Sequence, residues 1–462
     1  MFDKNIYIKR REELKKKFKN GLLLFPGNDE APMNYTGNTY HFRQDSSFLY
    51  YFGHDIPNMV GVIDIDEDKE YLFGYEFGVE DVVWMGPQPK LADLAEQIGV
   101  QHSEHIKNFG KFAKAQSRNK RRFHFLPMYR GDQMIKFSDL LDIPLKRINT
   151  RTSKNLILAV VEQRSIKSPE EISEIEYAIE IAFAMHTRAM QMAKPGVVER
   201  DIAGAIEGIS LALGSGVSFP PIVSKNGQTL HNHYHGNTLK QGDLLLCDAG
   251  AESLLNYASD ITRTTPVGGK FSTKQKDIYE IVLTAQKNAI NMIRPGIMHK
   301  DVHLTAAKII AAGLSQLGLM QGNLDEAVKA GAHALFFPHG LGHMMGLDVH
   351  DMENLGETFV GYDDKTKRSN QFGLAYLRLA KELQPGFVFT CEPGIYFIPE
   401  LIDQWKAKKL HKKFINYDRV EEYKNFGGIR IEDDILVTEN GYRVLGRPIP
   451  KEAADVEAVA SM

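Results

Sequence analysis

Two acidic residues stand at matching places in two similar stretches of the chain, and each is followed by a second acid further along. "GDLLLCDAG" contains Asp248 and "GFVFTCEPG" contains Glu392, and each stretch runs from glycine through apolar residues to cysteine, an acid and, one residue later, glycine. A second acid follows each of these, Asp260 in "ASDITRT" and Glu432 in "GGIRIEDDILVT". An acid within a β-branched strand is costly to bury unless it is paired or binds a cation. Four converging carboxylates would therefore require metal.

The two cysteines of the chain each precede one of these acids. Neighbouring residues on a strand point to opposite faces, so Cys247 cannot face the same site as Asp248, nor Cys391 the same site as Glu392. We expect both cysteines to be small buried hydrophobes rather than ligands. Two cysteines in 462 residues do not form a disulfide framework, and a reducing cytoplasm is the simplest compartment.

A second internal similarity supports a duplication. "AMQMAKPGVVERDI" (189–202) aligns without gaps on "AINMIRPGIMHKDV" (289–302), at an offset of 100 residues. The two cysteine-containing stretches repeat at an offset of 144 in the same order, which predicts two related halves about a pseudo-twofold axis. The larger offset implies insertions in the second half, for which 353–373 and 399–425 are candidates.

Three histidines lie close together in "PHGLGHMMGLDVHD". His339, His343 and His350 are separated by four and seven residues. Gly340 occupies the position that glutamate has in HExxH, which argues against a zincin helix, and the glycines favour a turn or the entrance of a strand rather than a helix. Three histidines between apolar blocks indicate a site.

A further histidine cluster occurs in "TLHNHYHGN", with His231, His233 and His235. This segment is typical of a loop, in which some imidazoles are solvated. We expect one of the three to belong to a site, with His231 the first choice.

A set of four carboxylates and one imidazole suits hard, oxygen-preferring divalent ions. Two ions about 3.5–4 Å apart that share carboxylates hold a water and lower its pKa, which supplies a hydroxide nucleophile at neutral pH. Mn²⁺ fits such a donor set best, and Co²⁺, Fe²⁺ or Zn²⁺ would also fit. The predicted chemistry is metal-assisted hydrolysis of a peptide or a phosphate ester.

The elements that must position these residues divide the chain into two domains. The first ~160 residues alternate between strands and helices, as expected of a smaller α/β domain. Ser168 and Glu171 form a capping box around Pro169, and a long amphipathic helix is predicted from there to about Met192. We therefore expect an N-terminal domain over 1–163 and a catalytic domain over 164–462.

The composition is that of an ordinary globular protein. Charged residues make up 25% of the chain and the formal net charge is −3, which argues against nucleic acid or a membrane as the main partner. No run approaches the ~20 apolar residues of a membrane span. The charged N-terminus has no apolar segment typical of a secretory signal.

The motifs resemble those of a known family. "LLLCDAG…ASDITRT", "PHGLGHMMGLDVHD", "CEPGIYFI" and "FGGIRIEDDILVT" are similar to the metal-binding motifs of the pita-bread metallopeptidases, and more narrowly to the Xaa-Pro peptidases prolidase and aminopeptidase P. "YHFRQDSSFLYYFGHDIPNMVGVIDID" resembles their aminopeptidase P/creatinase-like N-terminal domain. The resemblance implies an α/β fold whose C-terminal domain is a pita-bread domain with a pseudo-twofold repeat. It also implies a homodimer.

The resemblance implies a dinuclear metal centre with five ligands, Asp248, Asp260, His343, Glu392 and Glu432. Asp260 and Glu432 would bridge the ions, and Glu392 would also act as the general base. Asp248 and Asp260 lie twelve residues apart, one more than expected for the family, and a one-residue bulge in the connecting turn would absorb the difference.

The resemblance also implies roles around the metal. His231 and His350 match the histidines that stabilise the scissile carbonyl and its oxyanion, although the first role could fall to His233 instead. His339 matches an outer histidine of the pocket. Arg378, in "YLRLAK", matches the prolidase arginine that binds the substrate carboxylate. Arg430 matches an arginine beside the metal site, where it braces a ligand carboxylate or binds substrate.

The expected activity is hydrolysis of Xaa-Pro bonds at the N-terminus of proline-containing peptides, with an Xaa-Pro dipeptidase favoured over an aminopeptidase P that acts on longer peptides. Aromatic residues suited to hold the proline ring are Phe219, Phe336 and Tyr396. Two other interpretations are a metal-free, creatinase-like hydrolase and a binding protein that has lost activity. Both are disfavoured because all five ligands are present.

Overall fold

The computed structural model describes all 462 residues and divides them into two compact units. One unit comprises Met1–Arg164 with Asn354–Phe359, and the other comprises Ser165–Glu353 with Val360–Met462. The main division thus falls one residue after the predicted boundary, and six residues of a predicted insertion belong with the N-terminal unit. None of the helices has the length and apolar character required to cross a membrane.

The N-terminal unit alternates between helices and strands. Its elements in chain order are α1 (Lys4–Lys15), β1 (Leu22–Pro26), β2 (Pro32–Tyr35), β3 (Asn38–Thr39), α2 (Ser46–Phe52), β4 (Val60–Asp64), β5 (Lys69–Gly74), α3 (Val79–Met85), α4 (Leu91–Gln97), β6 (His102–His105), α5 (Phe109–Arg118), β7 (Phe123–Phe125), α6 (Gly131–Leu141) and α7 (Lys154–Ser165).

Five of these strands form one mixed sheet in the order β6-β5-β4-β1-β7. The predicted hairpin is present, since β4 and β5 pair antiparallel, whereas β7 adds to β1 in parallel. Leu22 and Leu24 alternate with residues of the opposite face and pack with Val60 and Val62 against Phe109. The residues of β1 from Leu22 to Phe25 are all buried, as an unbroken apolar run predicts for a strand that is covered on both faces.

From Ser165 onward the chain forms a second set of elements. They are α8 (Pro169–Met192), α9 (Glu199–Leu213), β8 (Gly216–Val217), β9 (Ile222–Ser224), β10 (Leu244–Ala249), β11 (Ala251–Glu252), β12 (Ile261–Pro266), α10 (Thr273–Met292), α11 (His299–Gln316), α12 (Leu324–Ala330), α13 (Glu357–Gly361), β13 (Val388–Cys391), β14 (Gly394–Tyr396), α14 (Pro399–Ala407), α15 (Tyr417–Glu421), β15 (Gly428–Arg430), β16 (Asp433–Thr438), β17 (Gly441–Val444) and α16 (Ala453–Ala460).

Helix α8 forms for the reasons apparent in its sequence. The Ser168 side chain accepts a hydrogen bond from the Glu171 amide, and the Glu171 carboxylate accepts one from the Ser168 amide at 3.0 Å. Pro169 occupies the first turn, where its missing N–H leaves no bond unmade. Buried residues recur every three or four positions, so that one face of the helix packs into the core.

The duplication is visible in the backbone of the C-terminal unit. Helix α8 packs against α9, and α10 packs in the same way against α11. The Pro-Gly turn between the helices places Gly196 at φ +90° and Gly296 at φ +84°, a left-handed conformation that favours glycine. Gly242 and Gly386, which lie two residues before β10 and β13, both have φ +86°. The two halves therefore share turn geometry as well as sequence.

Each half contributes one antiparallel sheet to the centre of the unit. The first sheet has the order β12-β10-β9 and the second the order β13-β16-β17. An isolated backbone bridge between Thr262 and Glu432 joins the two halves. Arg263 strengthens this junction because its guanidinium donates to the backbone oxygen of Glu432 and pairs with Asp433 at 2.6 Å.

Candidate metal centre

Strand alternation separates the cysteines from the acids beside them. Cys247 is 2% exposed and packs in the core with Met185 and Ile202. Asp248 points to the other side of β10, where the Arg430 guanidinium pairs with its carboxylate. Cys391 is also buried, and burial raises the pKa of both thiols. The cysteines therefore belong to the packing of their strands.

We expect Cys247→Ala and Cys391→Ala to keep most of the activity, with a loss of about 1 kcal/mol in stability from the deleted sulfur. Asp248→Ala should abolish activity. Metal content, peptidase rate and thermal unfolding of the three variants check the assignment. Loss of metal from a folded cysteine variant would show that the wrong face of the strand was assigned.

Three of the predicted ligands converge closely. Asp260, His343 and Glu432 each offer one ligand atom, and these atoms lie within 4.8 Å of one another. Asp260 immediately precedes β12, and Glu432 lies between β15 and β16, so each half of the unit supplies one acid. His343 comes from the glycine-rich segment after α12, which is irregular backbone with bends rather than a helix and forms a bridge to β13 between Met344 and Phe389.

His343 presents a defined nitrogen to this group. Its Nδ1–H donates to the Met344 carbonyl oxygen at 3.2 Å, which leaves Nε2 as the ligand atom. Nε2 lies 3.4 Å from Asp260 Oδ2 and 3.7 Å from Glu392 Oε1. Glu392 follows β13 directly and, at 18% side-chain exposure, is less buried than the other acids. The structure thus brings Glu392 to the edge of the three-residue group.

The electrostatics of the cluster are unfavourable without a cation. Burial raises the pKa of Asp260 and of Glu432, and repulsion from neighbouring carboxylates raises both further. Burial also raises the pKa of Glu392, although His343 and Arg430 oppose the shift. Two acceptor atoms, Oδ1 of Asp248 and Oδ1 of Asp260, are buried without a hydrogen-bond donor. These carboxylates and one imidazole fit a divalent cation that prefers oxygen ligands.

Arg430 and neighbouring hydroxyl groups hold the acids in place. The Arg430 guanidinium pairs with Asp248 and donates to Thr262 Oγ1 at 3.1 Å and to the Tyr396 hydroxyl at 2.9 Å. Thr262 in turn donates to Glu432 Oε2 at 2.6 Å. Arg430 therefore holds the carboxylate of Asp248, one of the predicted ligands.

The remaining histidines surround this cluster. His339 donates from Nδ1 to the Gly340 carbonyl, and its Nε2 accepts from the Tyr396 hydroxyl at 2.8 Å. His350 packs against the His343 ring with 3.9 Å between ring centroids. Burial, followed by the charge of Arg430, lowers the pKa of His339 to about 3, and burial, followed by the neighbouring His343, lowers that of His350 to about 4. Both imidazoles are therefore neutral at pH 7.

His231 lies at the open edge of the site. It is an exposed residue in a turn after β9, but its imidazole is partly shielded from solvent. This shielding and the charge of Arg430 lower its pKa, whereas the charge of Asp248 raises it. His233 is also exposed, and His235 bonds the Pro221 carbonyl oxygen outside the cluster.

Arg378 contacts an acid that the sequence did not single out. Its guanidinium pairs with Glu353, and the Glu353 carboxylate also accepts from His350 Nδ1 at 3.1 Å. Asp434 is a second acid that the sequence analysis did not identify. It is fully buried and accepts a hydrogen bond from the Asp260 backbone N–H at 3.1 Å. No local pattern marks Glu353, whereas the double acid in "RIEDDILV" was a signal for Asp434.

The three aromatic residues expected to hold a proline ring differ in position. Phe336 is fully buried and packs against Phe397. Tyr396 is also fully buried, and its hydroxyl group forms hydrogen bonds inside the site. Phe219 is only partly buried. The structure thus leaves Phe219 the most accessible of the three.

A duplicated α/β unit with buried carboxylates and an imidazole around one point defines a metal-dependent hydrolase. Residues 173–439 match the model of metallopeptidase family M24, and residues 7–124 match that of the aminopeptidase P N-terminal domain. The chain belongs to metallopeptidase family M24 and has the two-domain pita-bread architecture of that family.

Relatives and solved structures match over nearly the whole chain. The Xaa-Pro dipeptidase of Homo sapiens is 31% identical over 447 residues, which cover 95% of this chain and 88% of the relative. A structure of an Escherichia coli aminopeptidase P variant in complex with substrate is 28% identical, with a TM-score of 0.81 and coverage of 99% and 98%. The same bacterial enzyme with the inhibitor Pro-Leu gives a TM-score of 0.80.

Proposed function

We propose that this metallopeptidase hydrolyses the Xaa-Pro bond of dipeptides, as an Xaa-Pro dipeptidase (prolidase). The observation that carries the proposal is the convergence of Asp260, His343 and Glu432 in a chain whose relatives include Xaa-Pro dipeptidases. An Xaa-Pro bond is a tertiary amide without an N–H, and its ring does not fit ordinary protease pockets, so a dedicated site is required.

We propose that Asp248, Asp260, His343, Glu392 and Glu432 would hold two divalent ions, with Mn²⁺ as the native metal. When bound, such ions polarise a carbonyl group and make a water molecule acidic. The orphaned carboxylate oxygens of Asp248 and Asp260 support the assignment, because a buried acceptor without a donor is satisfied by a cation.

The chain's own residues would bind and orient the substrate. Glu392, the most accessible of the acids, would accept a proton as general base, and its raised pKa suits that role. His231 and His350 would lie beside the scissile carbonyl, with Nε2 of His350 facing the substrate because Glu353 engages Nδ1. His339 would line the pocket. Arg430 would keep Asp248 in position.

Arg378 favours the dipeptidase over the alternative. Its side chain is 34% exposed, and its positive charge lowers the pKa of both His231 and His350, so it lies near the proposed reaction centre. A planar guanidinium suits the free carboxylate that a dipeptide presents directly after its proline.

An Xaa-Pro aminopeptidase is the second candidate, since aminopeptidase P structures cover nearly the full chain. Hydrolysis of Ala-Pro and of Ala-Pro-Ala-Ala in Mn²⁺, with metal analysis of the purified protein, distinguishes the two. We expect cleavage of Ala-Pro with weak or no cleavage of the tetrapeptide. Preferred cleavage of the tetrapeptide would establish the aminopeptidase, and failure to cleave either would refute both. Fewer than about one ion per chain would favour a creatinase-like hydrolase.

We also propose that the enzyme is a cytoplasmic homodimer. Two buried, unpaired cysteines support a reducing compartment. The dimer rests on resemblance to the family, and light scattering of the purified protein tests it.

A further inference from the structure

We propose that Glu353 sets the enzyme's relative preference for dipeptides and for peptides whose C-terminus is amidated or more distant, an inference that rests on the function proposed above. Glu353 begins a one-turn 3₁₀ helix three residues after His350. One of its oxygens, Oε2, accepts from His350 Nδ1 and pairs with Arg378 Nη1. The Glu353 carboxylate thus connects His350, which is proposed to face the scissile carbonyl, with Arg378, which is proposed to bind the C-terminus of the substrate.

Glu353 carries a full negative charge in this position. Burial opposes its ionisation, but the hydrogen bond from His350 and the charge of Arg378 prevail and lower its pKa to about 2. The other oxygen, Oε1, is buried without a hydrogen-bond donor. The carboxylate is therefore held by the two contacts at Oε2.

This charge opposes the one on a dipeptide substrate. A dipeptide brings its own carboxylate to Arg378, whose positive charge Glu353 already compensates, and two carboxylates then share one guanidinium. The substrate carboxylate and the Glu353 carboxylate repel each other, and solvent screens this repulsion only partly because the Glu353 side chain is 20% exposed. A dipeptide amide, or a longer peptide, places no charge there. Glu353 therefore weakens the binding of dipeptides selectively.

Glu353 also holds the side chains of His350 and Arg378 in position, and a variant must separate this contact from the effect of its charge. Glutamine has the same shape and keeps one oxygen that accepts from Arg378 and His350, so Glu353→Gln removes the charge with the least change in position. Glu382→Gln removes a charge from an exposed residue close to Arg378 in sequence and serves as the matched control.

The test measures kcat/KM for Ala-Pro and for Ala-Pro-NH₂ with the Mn²⁺-loaded wild-type protein and both variants. We expect Glu353→Gln to raise the ratio of Ala-Pro to Ala-Pro-NH₂ by about tenfold, mainly through a lower KM for Ala-Pro, and Glu382→Gln to leave the ratio unchanged. In an Arg378→Gln background the effect of Glu353→Gln on the ratio should disappear.

The ratio does not depend on the fraction of folded enzyme, because both substrates are measured on one preparation. If activity is too low, direct binding of proline and of prolinamide, measured by calorimetry, replaces it, and Glu353→Gln should strengthen the binding of proline alone. An unchanged or lower ratio in an active enzyme overturns this inference and leaves the proposed function intact. Absence of Xaa-Pro cleavage by the wild-type protein overturns both.

Discussion

Asp260→Asn is expected to make the metal-free protein more stable and to abolish its activity. Burial raises the pKa of Asp260, and Asp248, Asp434 and Glu392 add to the shift, so the carboxylate destabilises the fold when no cation is present. A neutral side chain of the same shape removes that cost, and we expect a gain of about 1–3 kcal/mol in the free energy of unfolding. Thermal unfolding in EDTA measures it.

The order of stability should reverse in saturating Mn²⁺. The wild-type protein gains stability from every ion that binds the native state alone, whereas Asp260→Asn lacks a ligand and gains little. Asp277→Asn, which changes an exposed acid on α10, is the control and should follow the wild-type protein in both conditions. A variant that is no more stable in EDTA, or that gains as much from Mn²⁺ as the wild-type protein, would contradict the assignment of Asp260.

Glu392→Gln is expected to lower kcat by about 10³-fold or more on both Ala-Pro and Ala-Pro-Ala-Ala. Glutamine keeps the shape of the side chain near His343 and His339 but cannot accept a proton. Metal content measured in parallel separates the two roles of this residue. A variant that retains its metal but loses kcat identifies the proton acceptor, whereas loss of both identifies a ligand.

Glu382→Gln again serves as the control, because it removes one exposed charge from the same region of the chain. Unchanged activity of Glu392→Gln on both peptides would refute the proposed chemistry.

The parts of the fold that depend on short-range sequence were predictable. The capping box at Ser168 and the spacing of apolar residues predict α8, which ends at Met192 as expected. Strand alternation predicts that Cys247 is buried while Asp248 faces the opposite side. These features follow from neighbouring residues and from the periods of helices and strands.

The contacts of Glu353 could not be predicted in this way. Arg378 is 25 residues away, across an insertion that no repeat or motif constrains. Asn354–Phe359 belong with the N-terminal unit although they directly follow residues of the catalytic unit, and this placement depends on tertiary packing alone. Asp434 lies in β16 and was missed because Glu432, just before that strand, already accounted for the acidic motif.

The division of the acids between the two halves has a consequence for cooperativity. Asp248 and Asp260 come from the first half and Glu392 and Glu432 from the second. A bound cation would therefore add a link between two sheets that also meet through the bridge between Thr262 and Glu432 and through the hydrogen bonds of Arg263, Arg430 and Asp434. Metal removal would replace that link by repulsion. We expect amide hydrogens of β12 and β16 to exchange together in the metal-loaded protein and at separate, faster rates after chelation, because the two halves then open independently.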